Sequence, residues 1–495
     1  MNFVSDVLER YPASRPALLT IDSEGIRQVW HFGELIAMSA GVSGALAARG
    51  VGRGDVVMTL LGNRIEWVLT LLACWRMGAV ALPMSTQLRA KDLELRVGAA
   101  NPVLCVGEPE LLGGLPEGVE TIDLDEFARV LDEDRPQETP AAIADLHTTD
   151  PALVVFTSGT TGEPRGALHD AGYLSAQRSQ AENWLGARKG DLVWCTTATG
   201  WSKSARNVFV APWLCGGAAL ISDARFEADA RLALVESEGV NVLCQAPTEY
   251  RMLAKRAELH KLPELRRMVS AGEPLNPEVI RVFREAMDLD IHDGYGQTET
   301  GHVVGSHVGV PLRDGSMGKP LAGLEIRVDA ADGEPGELQV RADTCPTFFD
   351  RYLGESREDA RARLVDGEWW PTGDVVRRDA DGYLFYEGRD DDLILSAGYR
   401  IGPFEVESAL LSHPAVAEAA AVSAPDDERG AVVRAVVVLR NGEPTEALAT
   451  ELRDHVKSVT APYKAPRIVD FTDELPKTAS GKIRRAELRS PTEAD

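Results

Sequence analysis

Short apolar runs alternate along this chain with longer stretches in which apolar and polar positions recur at helical spacing. Val56–Leu61 has strand character, Glu66–Arg76 reads as helix, and Val80–Leu82 reads as strand again. The same rhythm returns at Val240–Gln245 and Leu265–Ala271. Such alternation predicts α/β architecture with largely parallel sheets. Trp67–Leu82 is the most apolar stretch, but Arg76 interrupts it and Gly78 and Pro83 close it. That is the pattern of a buried helix running into a strand, not of a membrane span. The acidic, proline-containing stretch Leu131–Thr149 reads as a loop or linker.

After Gly315 the pattern changes to short strands and turns, in the phrases LEIRVD, GELQVR and GYLFYEGR, which predict a smaller β-rich unit. From Arg400 the expected order is helix (Pro403–His413), strand (Ala417–Ser423), strand (Val432–Leu439), helix (Thr445–Val459) and strand (Arg467–Phe471). Together these make an α+β module of roughly a hundred residues. The boundary falls near Gly388–Asp392.

Length and charge narrow the classes. At 495 residues the chain exceeds what one core usually organises. A net charge of −25 without a basic block argues against nucleic acid or an anionic membrane as main partner. It leaves room for anionic small ligands in a locally positive pocket. The 6 cysteines are scattered singly, which suits a reduced, cytoplasmic setting, and no signal-peptide pattern opens the sequence. The 9 histidines make no metal-ligand spacing, so no structural zinc is expected.

Several clusters carry chemistry. Thr157-Ser158-Gly159-Thr160-Thr161-Gly162-Glu163-Pro164-Arg165-Gly166 follows the apolar run Leu153–Phe156. Its backbone N–H groups and hydroxyls suit phosphate oxygens, although it is not a Walker loop. The bland alternative is a surface hairpin. Asp293-Gly294-Tyr295-Gly296-Gln297-Thr298-Glu299-Thr300-Gly301 combines glycines that admit a flat ring, a tyrosine able to stack on it, and Glu299, a hard oxygen ligand suited to Mg²⁺. In Trp370-Pro371-Thr372-Gly373-Asp374, a carboxylate at a turn could take both ribose hydroxyls, against the default of an Asx-turn. Near the end, Lys482 stands between Gly481 and Ile483 in PKTASGKIRR, where an unremarkable surface lysine would otherwise be assumed.

In their order and spacing these motifs resemble the adenylate-forming superfamily of acyl-CoA synthetases, luciferases and peptide-synthetase adenylation domains. The resemblance spans about Trp30 to Arg485. It implies that Lys482, Thr298 and Glu299 are catalytic, with Glu299 holding the metal and Thr298 touching the α-phosphate. It further implies nucleotide contacts from Thr157, Ser158, Gly159, Thr160, Thr161, Gly162 and Arg165, the last standing where the family normally has lysine. Gly272, Glu273 and Pro274 would form the adenine wall, with Asp293, Gly294, Tyr295 and Gly296 beside it. Asp374 and Arg389 would meet ribose or phosphate. Trp201 would gate the acid pocket, lined by a helix over Ser202–Leu214, while Lys203 reads as surface charge. Asp391 would be the hinge, and Gly398, Tyr399 and Arg400 would face the pantetheine arm, with Gly398 leaving it room.

The implied fold is a large N-terminal domain (1–390) of two doubly wound sheets plus a distorted β-barrel, and a small mobile α+β domain (391–495). The implied activity joins a carboxylic acid to ATP, giving acyl-AMP and pyrophosphate, and then to coenzyme A. ATP, Mg²⁺ and coenzyme A are the expected cofactors and co-substrates. The wording SAGEPLNPEV and TGW-x-K resembles the medium-chain branch and points to a fatty acid. Loading of a separate carrier protein, or a non-catalytic nucleotide sensor, are the alternatives. No integral membrane contact is expected, and a homodimer is left open.

Overall fold

A computed structural model describes residues 1–132, 138–157, 164–396, 399–426, 429–440, 442–477 and 483–489, with Asp391 and Arg400 described by backbone only. Ser158, Gly159, Thr160, Thr161, Gly162, Gly398 and Lys482 therefore lie outside the described residues.

Two large mixed sheets dominate. A nine-stranded sheet has parallel strands at its centre, including Leu192–Cys195, Val242–Gln245, Arg267–Ala271 and Ile291–Gln297. It ends on one side in the antiparallel strands Gly301–Gly305 and Lys319–Pro320. A seven-stranded sheet is parallel through Val56–Leu60, Val80–Pro83 and Leu104–Gly107, with antiparallel Gly166–Asp170 and Arg351–Tyr352 at one edge.

One continuous core joins them. It takes Val57 and Ala81 from one sheet, Val193 and Val242 from the other, and the helix Ile65–Met77. This helix is apolar nearly all round because it is buried nearly all round. Trp67 and Trp75 are inaccessible, and Trp67 meets Phe209 edge-on with centroids 5.3 Å apart. Gly78 ends the helix at φ +79°, a left-handed turn that suits glycine.

The β-rich unit expected as a distorted barrel is, in its hydrogen bonding, a four-stranded antiparallel sheet built from Ile326–Val328, Pro335–Arg341, Trp369–Arg378 and Leu384–Arg389. Beyond it, a turn at Asp390–Asp392 leads to the C-terminal module. This module packs helices Pro403–Leu411 and Glu446–Val459 on a three-stranded sheet, over a hydrophobic cluster of its own. Within it the buried Glu407 carboxylate accepts from the Arg485 guanidinium at 2.8 and 2.9 Å. Among the described residues no helix is long and apolar enough to cross a membrane.

The helix expected over Ser202–Leu214 is irregular. Arg206–Val210 is wound with i→i+5 bonding, and Ala211–Leu214 returns to α geometry. Pro212 explains the change: it has no N–H for the carbonyl of residue 208, and its ring crowds that carbonyl. The chain widens by one residue before it, as π-bulges do.

Candidate active site

The Ile291–Gln297 and Gly301–Gly305 strands form a tight antiparallel pair whose turn carries Thr298 and Glu299. Glycine is required here. A Cβ on Gly296 would lie 1.8 Å from the Gly301 carbonyl oxygen, and Gly301 itself sits at φ +68°.

Asp374 enters from the neighbouring four-stranded sheet, where it pairs in register with Arg389. Its carboxylate is nearly inaccessible, at 6% exposure, yet well supplied with donors. The Tyr295 hydroxyl donates to it at 2.6 Å and Gln297 Nε2 at 2.8 Å. The Tyr386 hydroxyl and Arg389 Nη1 lie at 3.4 Å. Arg389 Nη1 also donates to the Thr372 carbonyl at 3.0 Å. Burial first, and then the adjoining Asp374 charge, raise the Tyr295 phenol well above its ordinary pKa, so it remains a donor. Three residues singled out in the sequence, Tyr295, Asp374 and Arg389, thus converge. Gln297 and Tyr386 belong to the same cluster and were missed. Gln297 lay inside the motif already quoted, whereas Tyr386 had no signal beyond being an aromatic in a strand.

Thr157 and Arg165 stand at the base of the glycine-rich segment, where two strands of the seven-stranded sheet meet as an antiparallel pair. Thr157 N–H donates to the Arg165 carbonyl at 2.9 Å, and Arg165 N–H to Thr157 Oγ1 at 3.2 Å. The Arg165 guanidinium stacks on the Tyr352 ring, 3.5 Å from its centroid, and donates to Glu355, which also pairs with Arg363 at 2.6 and 2.7 Å. Tyr352 in turn donates to Glu299 Oε1 at 2.5 Å. Its strand, Arg351–Tyr352, is what carries it there, and the Phe349 N–H donating to the Glu299 carbonyl at 2.8 Å fixes the register. Tyr352 links two predicted site residues that are far apart in sequence, and no motif pointed to it.

Several other expected site residues have their side chains engaged by the protein itself. The Glu273 carboxylate faces the Pro247–Arg256 helix, accepting from Thr248 Oγ1 at 2.7 Å and Arg251 Nη2 at 3.1 Å. Gly272, at φ +104°, and Pro274 turn the chain just after the Arg267–Ala271 strand. The Asp293 carboxyl folds back on the Gly294 N–H at 2.9 Å. Burial pushes it up to about 8, against the pull of the Lys203 charge. Lys203 is not the surface charge that was expected. It donates to the Ala271 carbonyl and stands 2.9 Å from where a Gly272 Cβ would be, so it reaches the wall assigned to adenine. Trp201 is half-buried, and the Ser204 hydroxyl donates to its carbonyl at 2.6 Å. Tyr399 lies apart, half exposed and stacked on Tyr463 at 4.3 Å between centroids. Asp391 occupies the turn between the two parts of the chain.

Glu299 is the carboxylate expected to hold magnesium. Among the described residues no group of three or more acidic, His or Cys side chains gathers as a cage. A single half-buried carboxylate, with only Oε1 engaged by Tyr352 among the described residues, matches Mg²⁺, which binds through one or two carboxylates and substrate phosphates.

Comparison with known proteins shows the family to which the chain belongs. The family described as AMP-binding enzyme matches residues 4–351, and its AMP-binding enzyme C-terminal domain matches residues 405–482. The chain is 38% identical to the uncharacterized acyl–CoA ligase YtcI of Bacillus subtilis (strain 168), covering 99% of this chain and 96% of that one. It is 37% identical to the mitochondrial acyl-coenzyme A synthetase ACSM4 of Homo sapiens, covering 99% and 90%. Among solved structures, an anthranilate CoA ligase in complex with anthranoyl-AMP superposes with a TM-score of 0.87 at 30% identity, covering 99% of this chain and 96% of that one. A Brucella canis acyl-CoA synthetase superposes at 0.76 with 35% identity, covering 99% and 94%. The chain belongs to the AMP-binding enzyme family, among the acyl-CoA synthetases of the adenylate-forming superfamily.

Proposed function

We propose that this protein activates a carboxylic acid with ATP, releasing pyrophosphate, and passes the acyl group from the resulting acyl-AMP to coenzyme A with release of AMP. The observation that supports it best is the meeting of Tyr295, Asp374 and Arg389 beside the turn that carries Thr298 and Glu299.

A carboxylate is already a nucleophile at neutral pH, so attack on the α-phosphorus needs no general base. Charge neutralisation and in-line alignment are what the protein must supply. Asp374 is placed to take the ribose hydroxyls by exchanging some of its present donors, and Arg389 beside it to meet ribose or phosphate. Glu299, steadied by Tyr352, would hold Mg²⁺. When bound, that ion would offset the charge of the phosphates. Arg165 lies at the exit of the glycine-rich segment, within reach of a departing pyrophosphate once it leaves Glu355. Lys482 would supply the remaining positive charge to the first half-reaction. A rotation about Asp391, of the kind by which mobile parts complete a site, would then replace it with the Gly398–Arg400 face for thiol attack.

A fatty acid of the medium-chain class is the reading carried by the phrases SAGEPLNPEV and TGW-x-K. The 6 cysteines are all unpaired, which fits a reducing, cytoplasmic setting. A homodimer is compatible with this scheme, and no step depends on it.

The test is product analysis by mass spectrometry, with ATP, Mg²⁺, coenzyme A and a panel of straight-chain, branched and aromatic acids. AMP and an acyl-CoA thioester should appear together. ADP and phosphate in place of AMP would contradict the proposal.

A further inference from the structure

Behind the Thr298–Gly301 turn, the structure buries a positive charge without an opposite one. Arg206, on the irregular helix that follows Trp201, is 5% exposed, and its Nε and Nη1 have no hydrogen-bond acceptor. Among the described residues no carboxylate pairs with it. Its neighbours are neutral: burial drives His169 down to about 3 and His302 well below its usual range, and the Arg206 charge adds to both. They are also short of partners. His302 Nε2 and Gln180 Oε1 are buried and unmatched, while the Tyr173 hydroxyl lies against the Arg206 guanidinium and His169 against the Thr298 backbone. Buried charges are normally paired, and leaving one alone is among the costlier things a fold can do. One polar orphan could be an accident of packing, but a cluster around a guanidinium calls for a ligand.

A cavity of about 140 Å³ adjoins this cluster, lined in part by Gln180, His302, Leu321, Leu324 and Thr347. Gln180 joins it to the Trp201 helix, its Nε2 donating to Asn207 Oδ1 at 2.9 Å. Thr347 Oγ1 donates to the Thr300 carbonyl at 2.6 Å, so the cavity backs directly onto the turn that carries Thr298 and Glu299. Arg206 Nη1 reaches the same place. A Cβ on Gly301 would lie 3.4 Å from it and 2.7 Å from Thr347 Oγ1. Arg206 and Thr347 thus stand beside Gly301, at the end of the turn that carries Thr298 and Glu299.

We infer that Arg206 is the receptor for a second carboxylate, carried at the far end of the acid substrate, so that this ligase selects short acids with two carboxyl groups over plain monocarboxylic ones. The inference rests on the acid-activating reading above and puts a short diacid in place of the medium-chain fatty acid suggested by sequence phrases. Substrate binding brings the missing negative charge, and Gln180 and Thr347 line the cavity beside it. Arg206 in this role is a specificity-determining residue and takes no part in bond making.

The experiment compares short α,ω-dicarboxylic acids with their monomethyl esters, which keep the reactive carboxyl and lose only the far charge. Two readouts are used: acid-dependent pyrophosphate exchange, and the rise in unfolding temperature on adding each acid with AMP, which needs no turnover. Wild type should favour a dicarboxylate over its own ester by at least about tenfold in kcat/KM, the scale of a charged hydrogen bond. It should also be stabilised by the dicarboxylate alone of the two. Arg206→Met should erase both preferences, keep activity on the esters, and unfold at a higher temperature than wild type without ligand, because an uncompensated buried charge has gone. If Arg206→Met loses all acids equally, Arg206 serves the reactive carboxyl and the inference falls. It falls equally if wild type handles ester and diacid alike, or if Arg206→Met unfolds earlier with its selectivity unchanged. Failure of the wider reading looks different: no acid then supports exchange, while the dicarboxylate-specific stabilisation and its loss in Arg206→Met still decide this point.

Discussion

Asp374 and Arg206 are buried to nearly the same depth, 6% and 5% exposed, and one is the inverse of the other. The chain surrounds the Asp374 carboxylate with its own donors from Tyr295, Gln297, Tyr386 and Arg389. It surrounds the Arg206 guanidinium with neutral groups and, among the described residues, gives it no carboxylate. The difference separates two ways of preparing a site. At Asp374, in the proposed reading, the protein holds stand-in donors, some of which the two ribose hydroxyls would replace. At Arg206 no anion stands in among the described residues, and in the proposed reading completion waits for the substrate. Binding exchanges partners at the first and supplies one at the second.

The strongest way to break this comparison is at the nucleotide side. Lys482→Ala should cut formation of acyl-AMP from ATP and acid by several orders of magnitude, a barrier rise of roughly 4 kcal/mol or more. Thioester formation from synthetic acyl-AMP should largely survive. Equal loss in both half-reactions would mean that the lysine does not serve adenylation alone.

Next in size is Asp374→Ala, measured as calorimetric affinity for AMP. Removing a carboxylate that would take hydroxyl donors should weaken binding by about 10- to 100-fold, the range for charged hydrogen bonds. The variant also strands buried Tyr295 and Gln297 donors, so Asp374→Asn, which keeps an acceptor, should lose less. Unchanged AMP affinity in both variants would remove Asp374 from the nucleotide site.

Arg165 should matter less, because in this structure Tyr352 and Glu355 hold it away from any ligand. Arg165→Ala should raise KM for ATP severalfold, and Arg165→Lys should retain most activity. Wild-type behaviour of Arg165→Ala at limiting ATP would show that the glycine-rich segment makes no phosphate contact through this residue.

The smallest effect concerns stability. The native Asp293 carboxyl keeps its proton up to about pH 8, whereas in the unfolded chain it is released near pH 4. The native state therefore binds more protons across that window, and this residue's contribution to stability falls as pH rises through it, levelling off above about pH 8. Chemical denaturation of wild type and Asp293→Asn between pH 6 and pH 8 should diverge by about 1 kcal/mol per pH unit in favour of the variant. Parallel curves would mean the group titrates normally.

Much of this was legible from residues alone. The α/β alternation, the apolar helix before Gly78 and the C-terminal order of elements follow from hydrophobic period, which burial imposes directly. The meeting of Tyr295, Asp374 and Arg389 was foreshadowed because each belongs to a short contiguous motif whose chemistry is local. Tyr352, Gln297 and Tyr386 were not singled out, since they act through strand register, and register joins positions that a linear reading keeps apart. Lys203 and Arg206 illustrate the limit best. A lysine and an arginine near a helix start normally mean solvent exposure, yet Lys203 turns to the Ala271 carbonyl and Arg206 to Gly301. The π-wound segment before Pro212 was equally hidden, because period alone does not reveal an inserted residue.

The account's central claim is that chemistry proceeds through an acyl-adenylate made before coenzyme A takes part. Acid-dependent exchange of labelled pyrophosphate into ATP, with coenzyme A left out, tests it most directly. The account predicts exchange that requires both a suitable acid and Mg²⁺, with net AMP release beginning only when coenzyme A is added. Exchange that is absent until coenzyme A is present, or that proceeds without any acid, would contradict it.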